Sequence, residues 1–225
     1  MIEIDWSAPW LAPYREQGEP LHRRILNGEC VAEALGGRFV PTSALPAGEP
    51  YEAFVARTGR VPTRDNGHDF FNGLVWLHHP ELKTRLNSWH ALTLQTDGVQ
   101  GSRGPLRDAA TVFDENGAVL HAPKELVSAL VERDWQRLFI TLRPLWKDAK
   151  LTIFGHALLE KLLRPRKPHC AHVLLAEPQD AAPLATKPFL PLPVLGVPGW
   201  FAGNEMANFY EDPAVFRQRR PLQTG

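Results

Sequence analysis

A helix-rich α+β fold in a single domain is what this chain of 225 residues predicts, and three observations predict it. Apolar residues recur at helical spacing through most of the chain up to about Leu162. Only a few short runs carry the apolar, β-branched character of strands. Prolines then crowd the stretch from Pro178 to Trp200, where a regular helix is hard to sustain.

Composition narrows the class further. Hydrophobic residues at 44% and charged residues at 22% are ordinary for a globular domain and exclude a disordered chain. With 25 basic residues against 25 acidic ones the formal net charge is zero. No long-range field draws in a polyanion, so nucleic-acid binding has no support from overall charge. The two cysteines, Cys30 and Cys170, are too few for a disulfide scaffold or a zinc knuckle and are expected as reduced thiols. The opening Met-Ile-Glu-Ile-Asp-Trp lacks both the basic and the apolar part of a secretory signal. No apolar run is long enough to span a bilayer. The expectation is a cytoplasmic protein with no membrane partner.

Taken in order, residues 1–18 read as an irregular arm held to the body through Trp6 and Trp10. Pro20 opens a helical pattern of Leu21, Ile25, Leu26, Val31 and Leu35, which Gly36-Gly37 stops. A Pro/Gly-rich loop from Pro41 to Pro50 leads into a short helix from Tyr51 to Thr58. Asn66 caps a helix that runs to Leu77 and breaks at His79-Pro80; Pro80 then stands at the first position of another, to Thr96. Gly98 to Pro105 reads as a loop, and Arg107 to Phe113 fits either helix or strand. The step Asn116-Gly117 ends that segment as a helix C-cap or a hairpin turn. A short strand follows from Ala118 to His121, then a helix from Pro123 to Arg133, and Asp134 caps the next, to Leu142. Lys150 to Ile153 reads as a strand that passes through Gly155 into a helix ending before Pro165, and Ala171 to Ala176 is another strand. From residue 178 to 200 the chain is expected to run extended over the body, with a last short helix between Asn204 and Arg219.

Three segments concentrate groups that bind metals or move protons. In the first, His68, Asp69 and Asn72 lie within one turn of a helix, with Phe70, Phe71 and Leu74 on its other side. Asp and Asn are also good caps at a helix start, which accounts for part of the pattern. The second holds Arg107 and Asp108 followed by Asp114, Glu115, Asn116 and Gly117. Its carboxylates suit a hard divalent cation and its arginine a phosphate, while Asp-Glu-Asn-Gly is equally turn chemistry. The third places His156 and Glu160 one turn apart, so that both reach one metal or one proton-transfer centre. That spacing also occurs as an ordinary surface pair. His78-His79 and His169 with His172 are weaker candidates. No nucleophile elbow, P-loop or dinucleotide fingerprint is present.

Several of these motifs carry a resemblance. His68-Asp69-Phe70-Phe71-Asn72-Gly73-Leu74-Val75-Trp76 is one, and Arg107-Asp108-Ala109-Ala110-Thr111 with Phe113-Asp114-Glu115-Asn116-Gly117 is a second. Gly155-His156-Ala157 with Glu160-Lys161 follows, and then Pro191-Leu192-Pro193 with Gly196-Val197-Pro198-Gly199-Trp200. Through them the chain resembles the bacterial domain-of-unknown-function family 3025, found mainly in proteobacteria, from about Asp5 to Arg220. The resemblance implies a bacterial protein made of one such domain. It implies no activity and assigns no role to any residue.

Two functional expectations stand beside each other. In one, the three segments converge on a metal-assisted hydrolytic site acting on a phosphoester. His68, Asp69, His156 and Glu160 then hold a divalent metal ion, Asp108 or Asp114 serves as base or further ligand, and Arg107 holds substrate charge. In the other, the same groups form a buried hydrogen-bonded network in a binding or scaffold protein. Its basic patch of Arg164, Arg166, Lys167, Arg217, Arg219 and Arg220 would meet RNA or an acidic partner.

Overall fold

Helices carry the fold, and most of their ends fall where the sequence places caps and breakers. The computed structural model describes residues 3–97 and 104–219, so the loop expected from Gly98 lies mostly outside the described residues, as does Arg220. The arm is shorter than expected. Helix α1 (Arg15–Leu26) begins five residues before Pro20 and carries that proline inside it. Its first turn, Arg-Glu-Gln-Gly-Glu, contains no apolar residue, so periodicity had nothing to register there. What fixes the start is Tyr14, which is fully buried and donates its hydroxyl to the Ile153 carbonyl at 2.6 Å. Gly28, at φ +103°, separates α1 from α2 (Val31–Leu35), where the apolar pattern alone reads as one helix.

Strands β1 (Phe39–Pro41) and β2 (Val61–Thr63) form a small parallel pair that the sequence reading missed. Three residues are too few to show alternation. Between them runs α3 (Tyr51–Thr58), closed by Gly59 in the left-handed conformation. Asn66 caps α4 (Gly67–His78) as expected, its side-chain oxygen accepting from the Asp69 N–H at 2.7 Å. Pro80 opens α5 (Pro80–Asp97).

The ambiguous segment is a helix, α6 (Pro105–Asn116). Gly117 follows it in extended rather than left-handed conformation, and the chain passes without a turn into β3 (Gly117–His121). After α7 (Lys124–Glu132), Asp134 accepts from the Arg137 N–H at 3.0 Å and opens a turn that becomes π-helical over Arg137–Thr141. Strands β4 (Lys150–Ile153), β5 (Cys170–Leu174) and β6 (Leu190–Pro193) join β3 in a four-stranded sheet of order β4-β3-β5-β6. The β3–β5 pair is parallel and the outer pairs are antiparallel.

The proline-rich stretch is more regular than expected. It contains α9 (Ala181–Ala185) and the edge strand β6, where Pro191 and Pro193 do least harm to the ladder. Leu192, Val194 and Leu195 within it are fully buried, so it closes the core. Two 3-10 turns, Ala202–Glu205 and Ala207–Glu211, stand where one last helix was expected. The remaining helix, α8 (His156–Lys161), follows β4 and packs between α4 and α6 over Phe71, Phe113 and Phe154. Cys30 and Cys170 are free thiols. Among the described residues no helix is long and apolar enough to cross a membrane.

Candidate metal centre

One close backbone approach sets the site. A Cβ on Gly155 would lie 2.5 Å from both N and Cα of Asn116 and 2.6 Å from the Glu115 carbonyl oxygen. Its φ of −63° is open to any residue, so glycine is required for proximity alone. The start of α8 therefore sits against the end of α6, and His156, the first residue of α8, meets Asp114 and Glu115. The first turn of α4 brings His68 to the same point.

There the two imidazoles meet edge to face, with ring centroids 4.6 Å apart at 72° and their Nε2 atoms 3.1 Å apart. Each ring has a carboxylate behind its Nδ1. For His68 it is Glu160, whose Oε2 lies 2.9 Å away. For His156 it is Asp114, whose Oδ2 lies 3.7 Å from Nδ1 and whose backbone also favours the charged ring. Glu115 Oε1 stands 3.8 Å from His156 Nε2, and one donor atom from each of His68, Glu115 and His156 lies within 4.8 Å of the others.

Electrostatics fix the charge states around this cluster. Burial drives His156 down to about 4, against the pull of Asp114 and with the push of Lys83 and His68, so the ring is neutral near pH 7. Burial works to raise Asp114, but the neighbouring Lys83 ammonium and His156 outweigh it and hold the carboxyl below its ordinary value. Lys83 has a side chain only 5% exposed and donates to Asp114 Oδ1 at 2.6 Å and to Asn72 Oδ1 at 2.8 Å. Asn72 in turn donates to the Tyr51 hydroxyl at 3.4 Å, and burial pushes that phenol up to about 12. All these groups except Glu160 line a cavity of about 420 Å³ whose apolar wall includes Leu45, Trp76 and Leu86. Among the described residues no lysine or arginine pairs with Glu115 or Glu160.

The structure thus brings together His68, His156, Glu160 and Asp114 of the expected set. It does not bring the others to the histidines. Asp69 lines the same cavity, but Arg64 takes both its oxygens, through its backbone N–H at 2.7 Å and its guanidinium at 2.9 Å. Asp108 pairs with Lys187 near the start of α6, and Arg107 is not among the residues lining the cavity. The cause is distance along the axis: positions 107 and 108 share the face of 111, 114 and 115 but lie roughly 9–12 Å nearer the start of α6 than the last two, at about 1.5 Å per residue. Glu160 stands behind His68 rather than beside His156. Glu115, legible in the sequence only as a carboxylate suited to a cation and outside the expected ligand set, stands beside His156 instead. Lys83 was missed altogether, because a lone lysine in a polar helix carries no signal that it will be buried.

The site defines a class first: a helix-rich α+β protein with two histidines and a glutamate converging at a polar cavity. The family model described as "Protein of unknown function (DUF3025)" matches residues 37–185 and 178–220, and the chain belongs to that family. Comparison with curated proteins and with solved structures gives no significant match.

Proposed function

We propose that this chain is a metal-assisted hydrolase whose divalent ion is held by His68 Nε2, His156 Nε2 and a carboxylate oxygen of Glu115. The observation that carries the reading is the meeting of two Nε2 atoms at 3.1 Å. Nitrogens that far apart subtend about 100° at a cation about 2.05 Å from each, within the range of tetrahedral and octahedral sites. Carboxylates behind both Nδ1 atoms support it, since ligating histidines are commonly oriented in that way. So does charge: with His156 neutral, Glu115 and Glu160 leave negative charge for a cation to balance.

A metal in such a site supplies a bound water of lowered pKa. The chain supplies the rest. Glu160 holds the His68 ring with Nδ1–H pointing away from the ion. Lys83 keeps Asp114 ionised behind His156, an orienting role in place of the base expected for it. Of the substrate classes, a phosphoester depends on the ion alone for its grip, because Arg64 and Lys83 are already paired with Asp69 and Asp114.

A second reading has its own observation: 3.1 Å is also the length of an N–H···N hydrogen bond. In that case the cluster is a structural network and partner contact falls to the basic patch. There Arg164, Arg166 and Arg219 are exposed, while Lys167 is paired with Asp212 at 3.2 Å. Metal analysis of the purified chain separates the two. The hydrolase reading expects one divalent ion per chain, lost by at least about 100-fold in affinity in His156→Ala and Glu115→Gln, with metal-dependent cleavage of bis(p-nitrophenyl) phosphate. A chain that takes up no zinc, manganese or iron at micromolar concentration overturns it.

A further inference from the structure

One proton in the polar cavity is left without an acceptor in the chain. Lys83 can only donate, so its 2.8 Å contact with Asn72 fixes the nearer atom of that amide as the oxygen. The amide nitrogen therefore faces Tyr51 and donates to its hydroxyl oxygen at 3.4 Å. Tyr51 accepts at that contact, which turns its own O–H elsewhere. Arg64 occupies both oxygens of Asp69, and Lys83 occupies Asp114 Oδ1. Among the described residues no hydrogen bond runs from the Tyr51 hydroxyl to an acceptor. Tyr51 lines the cavity together with His68, Glu115 and His156, so a bound molecule can accept from it. Burial keeps the proton in place, since it pushes the phenol up to about 12.

The fold sets the distance. Tyr51 begins α3, which packs on α5, and its partner Asn72 follows His68 by one turn of α4. We infer that Tyr51 reads the substrate: its hydroxyl donates to an uncharged acceptor, the carbonyl oxygen of an amide or ester, which the substrate carries roughly 5–6 Å from the group bound at His68 and His156. The acceptor is uncharged because Asp69 and Asp114 lie close enough to act on the phenol and would repel an anionic oxygen beside it. Leu45, Trp76 and Leu86 give the rest of the molecule an apolar wall. The inference rests on the metal-centre reading for the reacting end. The donor itself stands on the chain from Lys83 through Asn72 to Tyr51.

Hydroxamates of graded length test it, because the hydroxamate chelates a metal and the far end can be changed. One set ends in a dimethylamide, which accepts and cannot donate; the other ends in a branched hydrocarbon of the same shape. The ends are separated by one, two or three methylenes. At one of these lengths the dimethylamide should bind the metal-loaded chain at least about fivefold more tightly than its hydrocarbon partner, as one net hydrogen bond allows. In Tyr51→Phe that preference should vanish. A preference absent at every length, or one that survives in Tyr51→Phe, overturns the inference. Acetohydroxamate, too short to reach Tyr51, reports on the metal centre separately, and its failure to bind would count against that reading alone. In that event N,N-dimethylbenzamide becomes the probe, measured by calorimetric titration. Binding to the wild type at least about fivefold tighter than to Tyr51→Phe upholds the donor, and equal or absent binding removes it.

Discussion

Around Asn204 every polar atom finds a partner inside the chain, whereas around His156 the partners run out. Asn204 is fully buried; its amide donates to the Leu195 and Val197 carbonyls, each at 2.7 Å, and its oxygens accept from Arg143 and the Tyr210 hydroxyl. That network closes the two terminal 3-10 turns onto the body and has no valence to spare. His156 is almost as buried at 5% exposed, yet its Nδ1 stands 3.7 Å from the nearest carboxylate oxygen and its Nε2 faces another Nε2. Burying unpaired polar atoms costs free energy, so a cluster that exists only for stability tends toward the first arrangement. The second is the arrangement on which the metal-centre proposal rests.

The largest expected effect sharpens that contrast directly. Asn204→Ala strands the Leu195 carbonyl, takes one of two donors from the Val197 carbonyl and one acceptor from Arg143, and should lower the unfolding free energy by about 2 kcal/mol in urea titration. His156→Ala, measured without added metal, should lower it by about 1 kcal/mol or less, since little is satisfied there to be lost. Equal losses in the two variants would break the comparison and return His156 to a structural role.

His79 provides the intermediate case: it too has a buried nitrogen, Nε2, with no hydrogen bond, but among the described residues it belongs to no cluster of three potential ligands. Burial first, then His78 and Lys150, drive it down to about 4; Glu177 is 3.9 Å away, and the Tyr14 and Phe154 rings pack on it. The folded chain therefore keeps this ring neutral where the unfolded chain, with an ordinary value near 6.5, takes up a proton. Stability from this group is complete above about pH 6.5 and declines as the pH falls toward 4, by about 2 kcal/mol after allowance for partial exposure. His79→Gln should flatten that part of the stability-against-pH curve and leave metal content untouched. A slope that survives in His79→Gln would assign it to other groups.

The smallest effect lies near the start of α6. Lys187 and Asp108 are 47% and 41% exposed, and exposed pairs contribute little. Asp108→Asn should change stability by about 0.5 kcal/mol or less and metal affinity by less than twofold in calorimetric titration. A tenfold loss of affinity would restore Asp108 to the site.

How much of this was legible in the sequence depends on the range of the interaction. Asn66 as a cap, Pro80 as a helix start and Asp134 as the next cap are decided by neighbours a turn away, and all three stand as the residues dictate. The meeting of His68 with His156 spans 88 positions, and the sequence offered only matching chemistry, not the contact. The two three-residue strands, and the burial of Lys83, left no periodic trace. Asp108 was drawn in as a carboxylate suited to a cation, but it lies about two turns before Asp114 along α6 and pairs with Lys187.

Gly155 bears on all of this in a different way. With main chain pressed on main chain at Asn116, the span from His156 to Glu115 is gauged by a van der Waals stop, not by the reach of flexible side chains. Side chains can be exchanged at such a cluster while its dimensions stay put. A copy of the centre on another scaffold would have to begin with that stop, because the three side chains alone do not carry the measurement.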